Sequence, residues 1–274
     1  MPLHYEDIAK GANAERRTPV IVLAGGAARH PTYLGDLAGL ADAQRLVVPH
    51  LRGVGRTPMP EHPERGSFWS QAEDLERLRL HLGGGRIVLV AHSAGTRVAV
   101  AYAAQFPECV AKLVLITPPA AYLVDQASDT AVIRRRRRGD EAFELALAAL
   151  AAGPAGTDEY AFNAWQSESA AVGYANWGVT EKTHARTGRW SLAGAEAFFT
   201  VPTPADLVAR LGKVEAPVLV IAGAQDSLTG VAPAAAMAQL FPSGKSTVIE
   251  DSGHYPWVEQ PISFRETIDE FLDR

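Results

Sequence analysis

Apolar residues in this 274-residue chain fall into two kinds of segment that alternate. Short unbroken apolar runs at residues 19–24, 46–50, 87–91, Val110–Ile116 and 216–222 read as strands buried on both faces. Residues 3–7 read as a short edge strand and 246–250 as a last short one. Between the runs lie segments with helical spacing. In residues 69–82, Leu75, Leu78 and Leu82 recur on one face, and residues 31–40 and 96–105 also read as helices. The alternation predicts an α/β fold, with a mostly parallel sheet flanked by helices.

The pattern changes at residue 120. No strand is expected from there to 213. Helices are expected at 131–138, Glu141–Ala152, 158–172 and 193–199. Ten of the 21 aromatic residues fall in this third of the chain. Most are expected to pack, and some to line an apolar pocket; Trp165, Trp177 and Phe198 are the candidates taken as substrate-binding.

Composition narrows the picture. Hydrophobic residues make up 47% and charged residues 21%, ordinary for a globular enzyme. A net charge of −5 gives no electrostatic reason to expect nucleic acid. The single cysteine, Cys109, rules out an intrachain disulfide. Residues 1–10 lack a basic segment followed by an apolar one, and no apolar run is long enough to span a bilayer. A cytoplasmic protein with a small-molecule substrate is expected, with no membrane and no nucleic acid as partner.

Chemistry enters at residues 88–96, Val-Leu-Val-Ala-His-Ser-Ala-Gly-Thr. A strand ending in small-x-Ser-x-Gly before a helix holds a serine exposed on a strained turn. Ala91 and Gly95 are small where strand and helix must pass close together. The helix start supplies free N–H groups for an oxyanion. A serine nucleophile needs a base and an orienting acid. Asp226 follows the strand run at 216–222, and His254 follows the last strand. The chain order Ser93, Asp226, His254 is that of the α/β-hydrolases.

With these residues the chain resembles an α/β-hydrolase of the proline iminopeptidase-like branch. The matching segments are Val22-Leu23-Ala24-Gly25-Gly26, Leu51-Arg52-Gly53-Val54-Gly55-Arg56, residues 75–83, the serine turn, residues 102–107, and Gly253-His254-Tyr255-Pro256-Trp257-Val258-Glu259-Gln260-Pro261. The resemblance implies a hydrolase core, 1–119 and 214–274, with an all-helical cap, 120–213, inserted above its site. It implies Ser93 as nucleophile, His254 as base and Asp226 as acid, with an oxyanion hole from the N–H groups of Gly26 and Ala94. Two loops depart from the iminopeptidase pattern. Ala24-Gly25-Gly26-Ala27-Ala28 stands where His-Gly-Gly-Pro-Gly is usual, and Ala-His-Ser-Ala-Gly where Gly-Gly-Ser-Trp-Gly is usual. Specificity for N-terminal proline is therefore not expected.

Other candidates are weaker. His50, where relatives commonly carry Asp, is a possible substrate-binding residue. His92 adjoins Ser93 but should point away from it. Asp251 is too close to His254 in sequence to reach across a loop. Arg134–Arg138 points around every side of a helix, so it reads as a solvated helix end rather than a docking stripe. Metal-ligand spacing, a phosphate loop and a dinucleotide fingerprint are all missing, so no cofactor and no metal is expected. The expected function is hydrolysis of a small, mainly apolar ester or amide through an acyl-enzyme. The alternatives are the same constellation in a thioesterase, C–C hydrolase, acyltransferase or cyclase, and a non-catalytic ligand-binding protein.

Overall fold

The computed structural model describes every residue except Met1, Ala12, Asn13, Arg16 and Arg274. Seven strands form one sheet: β1 (Tyr5–Ile8), β2 (Val20–Leu23), β3 (Leu46–Pro49), β4 (Ile87–His92), β5 (Val110–Ile116), β6 (Val218–Gly223) and β7 (Gly244–Ile249). Their order is β1-β3-β2-β4-β5-β6-β7. β1 runs antiparallel to β3, and every other neighbouring pair is parallel.

The apolar runs form strands because each residue finds a covered face. Alternate residues point to opposite sides of a strand. Ile21, Leu23, Leu89, Ala91, Leu113 and Leu115 join one apolar layer, which includes Leu75 and Leu78 of the helix Ala72–His81 and most of the helix Gly95–Gln105. Val20, Val22, Val90, Val114 and Ile116 join the other, with Leu40, Phe264 and Ile268. The sheet is thus the middle of three layers.

Strand order places the site. From β2 the chain crosses to β3 on one side, then returns to β4 on the other. The loops leaving β2 and β4 therefore diverge, and an open α/β sheet keeps its ligand crevice at such a switch point. Gly25 and Gly26 leave β2 there, and Ser93 leaves β4.

The helix expected at 31–40 is shorter and broken. A single 3-10 turn, Pro31–Leu34, is followed by Leu37, Ala38 and Gly39 at φ 52°, 57° and 82°, and a helical turn resumes only at Leu40–Ala43. Left-handed residues cannot continue a right-handed helix. Between β5 and β6 the described residues form helices and no strand: Thr130–Arg136, Glu141–Ala152, Glu159–Glu168, Val179–Ala185, Leu192–Phe198 and Leu207–Leu211. Phe143, Ala146, Ala171 and Val172 make a small separate core, whereas Phe198, Leu207 and Leu211 pack into the main layer. Among the described residues, no helix is long and apolar enough to cross a membrane.

Candidate active site

Ser93 ends β4 with φ 50°, a left-handed conformation that costs a non-glycine residue about 1–3 kcal/mol. The surroundings enforce it. The Ser93 N–H donates to Ile116 O at 2.9 Å, and the Ser93 carbonyl accepts from both the N–H and the hydroxyl of Thr96. A Cβ on Gly95 would lie 2.4 Å from Ala24 O, and one on Gly25 would lie 2.7 Å from His92 O. Glycine is required at both places because backbone meets backbone. Ser93 itself is half-buried amid buried neighbours.

Asp226 and His254 meet in the adjoining loops. His254 Nδ1 donates to Asp226 Oδ2 at 2.8 Å, and both residues are buried. Asp226 is held from every side: Oδ2 also accepts from Thr229 Oγ1 at 2.5 Å, and Oδ1 accepts from the N–H groups of Leu228 and Thr229. Burial pushes the Asp226 carboxyl up, but the His254 charge and the donors from His254, Thr229 and Leu228 outweigh it. The group sits below the usual carboxylate value. Asp251 is exposed and takes no part. Ser93 Oγ and His254 Nε2 are not hydrogen-bonded to each other among the described residues.

The Gly25 N–H donates to Tyr33 Oη at 2.6 Å, whereas the N–H groups of Gly26 and Ala94 donate to no other group among the described residues. Ala94 stands at the head of the helix Gly95–Gln105, where such donors are free. His92 points away from the site. Its Nε2 donates to His254 O at 3.0 Å, which Thr117 Oγ1 also binds. Burial and the neighbouring His254 hold His92 well below the usual imidazole value, so the ring is neutral.

The other sequence candidates lie elsewhere. His50 is buried beneath the edge of the sheet, its Nε2 at 3.2 Å from Glu6 Oε1 and its Nδ1 accepting from the Arg56 N–H. The Trp165 indole donates to Ala149 O between two helices. Trp177 packs on Tyr174, and Phe198 is fully buried against Phe68 and Phe199. None of the four lines the cavity bounded by Tyr255, the residue after His254. That cavity, about 70 Å³, is walled by Arg29, Gln166, Ser169, Tyr174, Trp190 and Tyr255, among others. Arg29 and Tyr255 lie close in the chain to Gly26 and His254. Neither a lone arginine nor a tyrosine carries a motif.

Residues 18–261 match the alpha/beta hydrolase fold family, and the chain belongs to it. It is a hydrolase of that fold. A proline iminopeptidase of Clostridioides difficile strain 630 is 26% identical over 280 residues, covering 96% of this chain and 92% of that protein. An α/β fold family hydrolase of Bacillus anthracis strain Sterne superposes with a TM-score of 0.74 at 18% identity, covering 98% of this chain and 94% of that one. The esterase RhEst1 of Rhodococcus sp. ECU1013 gives 0.71 at 22%, covering 99% and 94%. At such identities the two structures speak for the fold alone.

Proposed function

We propose that the protein is a serine hydrolase that cleaves a small ester or amide through an acyl-enzyme. The observation that carries this reading is the Asp226–His254 hydrogen bond, set in loops that converge on a serine strained into a strand–helix turn. Ser93 Oγ attacks the substrate carbonyl. His254 Nε2 takes its proton and returns it to the leaving group. Asp226 holds the imidazole with Nδ1 protonated and stabilises the imidazolium. The N–H groups of Gly26 and Ala94 receive the oxyanion, a role supported by neither having another acceptor among the described residues. A base–nucleophile bond that is open in the resting enzyme closes when substrate settles. Residues 120–213 serve as the lid over a core of 1–119 and 214–274. The iminopeptidase relative supports the reaction class.

The test is labelling with a serine-directed fluorophosphonate, read by peptide mass. Label on Ser93, lost together with p-nitrophenyl ester turnover in a folded Ser93→Ala variant, is the expected result. Label on another residue, or full turnover in Ser93→Ala, refutes it. Proline p-nitroanilide is expected to be cleaved poorly, because the loops at 24–28 and 91–95 depart from the iminopeptidase pattern.

A further inference from the structure

Arg29 is 2% exposed, yet among the described residues no carboxylate lies within ion-pair distance of it. Its partners are neutral. Nε donates to Gly188 O at 3.1 Å, and Nη2 to Thr187 O at 2.6 Å, with His184 O and Ala185 O further off. Nη1 donates to Tyr255 Oη at 3.2 Å. The rings of Tyr33 and Trp190 flank the guanidinium, 4.2 and 4.3 Å from its central carbon. Carbonyls at the end of the helix Val179–Ala185 supply a partial negative charge, roughly half a unit. A buried cation without a counter-ion is costly.

The cavity walled by Tyr255 opens onto this group, and apart from the Gln166 carboxamide, which carries both an acceptor and donors, its remaining hydrogen-bonding demand is for an acceptor. Arg29 Nη1 carries two N–H bonds and meets one acceptor. The Tyr255 hydroxyl accepts from Arg29, and its own hydrogen has no acceptor among the described residues. Burial pushes the Tyr255 phenol up, so it keeps that hydrogen. The Trp190 indole N–H, packed against Gly26, also meets no acceptor among the described residues. By contrast, the Ser169 and Tyr174 hydroxyls are spent on Trp165 O and His184 Nδ1. The wall thus offers donors and a positive charge. About 70 Å³ is room for a group of a few heavy atoms.

We propose that this cavity is a subsite for a carboxylate on the substrate, held by Arg29, Tyr255 and Trp190. The proposal rests on the hydrolase reading and names its substrate class: an ester or amide with an anionic end, in place of the mainly apolar molecule that the aromatic content favours. The position fits that role. Tyr255 follows His254 directly, Gly173 of the same wall packs against both, and Trp190 abuts the Gly26 loop. Neither Ser93 nor His254 lines the cavity, so a carboxylate held there leaves both free.

The first experiment measures binding without turnover. Ser93→Ala protein is titrated calorimetrically with glutaric acid monoanilide and with its neutral carboxamide counterpart. The acid is expected to bind about tenfold or more tightly, the size of a charge-assisted hydrogen bond. The gap should shrink as salt rises, and shrink again when Tyr255→Phe or Trp190→Phe is added. Arg29→Gln should abolish it; because Arg29 also ties down residues 184–188, the two aromatic variants keep the test sound if Arg29→Gln misfolds. Equal binding of acid and amide, or a gap that these variants leave intact, overturns the subsite. The second experiment compares kcat/KM of the wild type for mono-p-nitrophenyl glutarate and p-nitrophenyl valerate, each relative to its hydroxide-catalysed rate. Preference for the glutarate supports the subsite, and preference for the valerate overturns it. Failure of Ser93 to label overturns the hydrolase reading instead, and the binding measurement still decides the subsite.

Discussion

Tyr33 and His92 are hydrogen-bonded at 2.7 Å, although 59 positions separate them in the chain. The direction of that bond is fixed. His92 Nε2 gives its hydrogen to the His254 carbonyl, so Nδ1 is bare and accepts from the Tyr33 hydroxyl. Tyr33 in turn accepts from the Gly25 N–H. One phenol and one imidazole therefore tie the loop after β2, the turn after β4 and the loop bearing His254 into a single frame.

Removing the phenol oxygen should loosen that frame. Tyr33→Phe leaves the Gly25 N–H and His92 Nδ1 buried without partners, at a cost of about 1–3 kcal/mol. Urea unfolding should show that loss. Esterase kcat should fall more than KM rises, because the Gly26 loop and His254 lose their mutual registration. Unchanged kcat alongside lower stability would reduce the link to a purely structural one.

Asp226→Asn should keep the fold and cut kcat by roughly 10³–10⁴ with little change in KM, since the amide misdirects the imidazole. Thr229→Val should cost far less, because Asp226 keeps its other donors. Asp251→Asn should have no effect. A severe loss in Asp251→Asn and none in Asp226→Asn would reverse the assignment of the acid.

Gly95→Ala tests the crossing of strand and helix. Its new Cβ would sit 2.4 Å from Ala24 O, a backbone atom that cannot swing aside. The turn must shift, costing about 1–3 kcal/mol of stability and displacing the Ala94 N–H. Thermal melts and ester kinetics should both register it. Wild-type values in both would mean the crossing is less tight than the structure shows.

Glu259 predicts a pH dependence. Its carboxylate accepts from the N–H groups of Gly253, Ala175 and Asn176, pinning the His254 loop to the segment at 175–176. Burial nonetheless pushes the carboxyl up to about 7, with Glu181 nearby adding to the effect. The folded protein then keeps a proton that the unfolded chain releases near 4.5. Stability from this linkage is full below the unfolded value and is lost as pH rises through about 7. The stability of wild type minus that of Glu259→Gln, taken with its sign, should therefore fall as pH rises between those values in urea titrations. A difference that is flat or grows over the window contradicts the shifted carboxyl.

What the sequence discloses depends on how local the cause is. Buried strands announce themselves as runs such as Leu113–Ile116, and the serine turn is legible because its small residues sit two positions either side of Ser93. Asp226 and His254 are legible from their places after strands. Tyr33, Arg29 and Glu259 are not, because their importance lies in partners 59 to 226 positions away. The helix 31–40 is misread for a related reason: Leu37 and Ala38 are good helix formers forced into left-handed geometry by what surrounds them. The aromatic richness of residues 120–213 points to the cavity only in part: Tyr174 and Trp190 line it beside Arg29 and Tyr255, whereas Trp165 and Phe198 spend their bulk on packing.

The short bridge between Arg29 and Trp190 ties the loop after β2 to residues 189–191, flanked by the bonds from His30 N to Arg189 O and from Ser191 N to Ala28 O. Any movement of residues 189–191 away from the sheet would peel this seam and pull on the loop that carries Gly26. If Gly26 donates to the oxyanion as proposed, then letting a substrate in past the seam and setting that donor in place are one mechanical event.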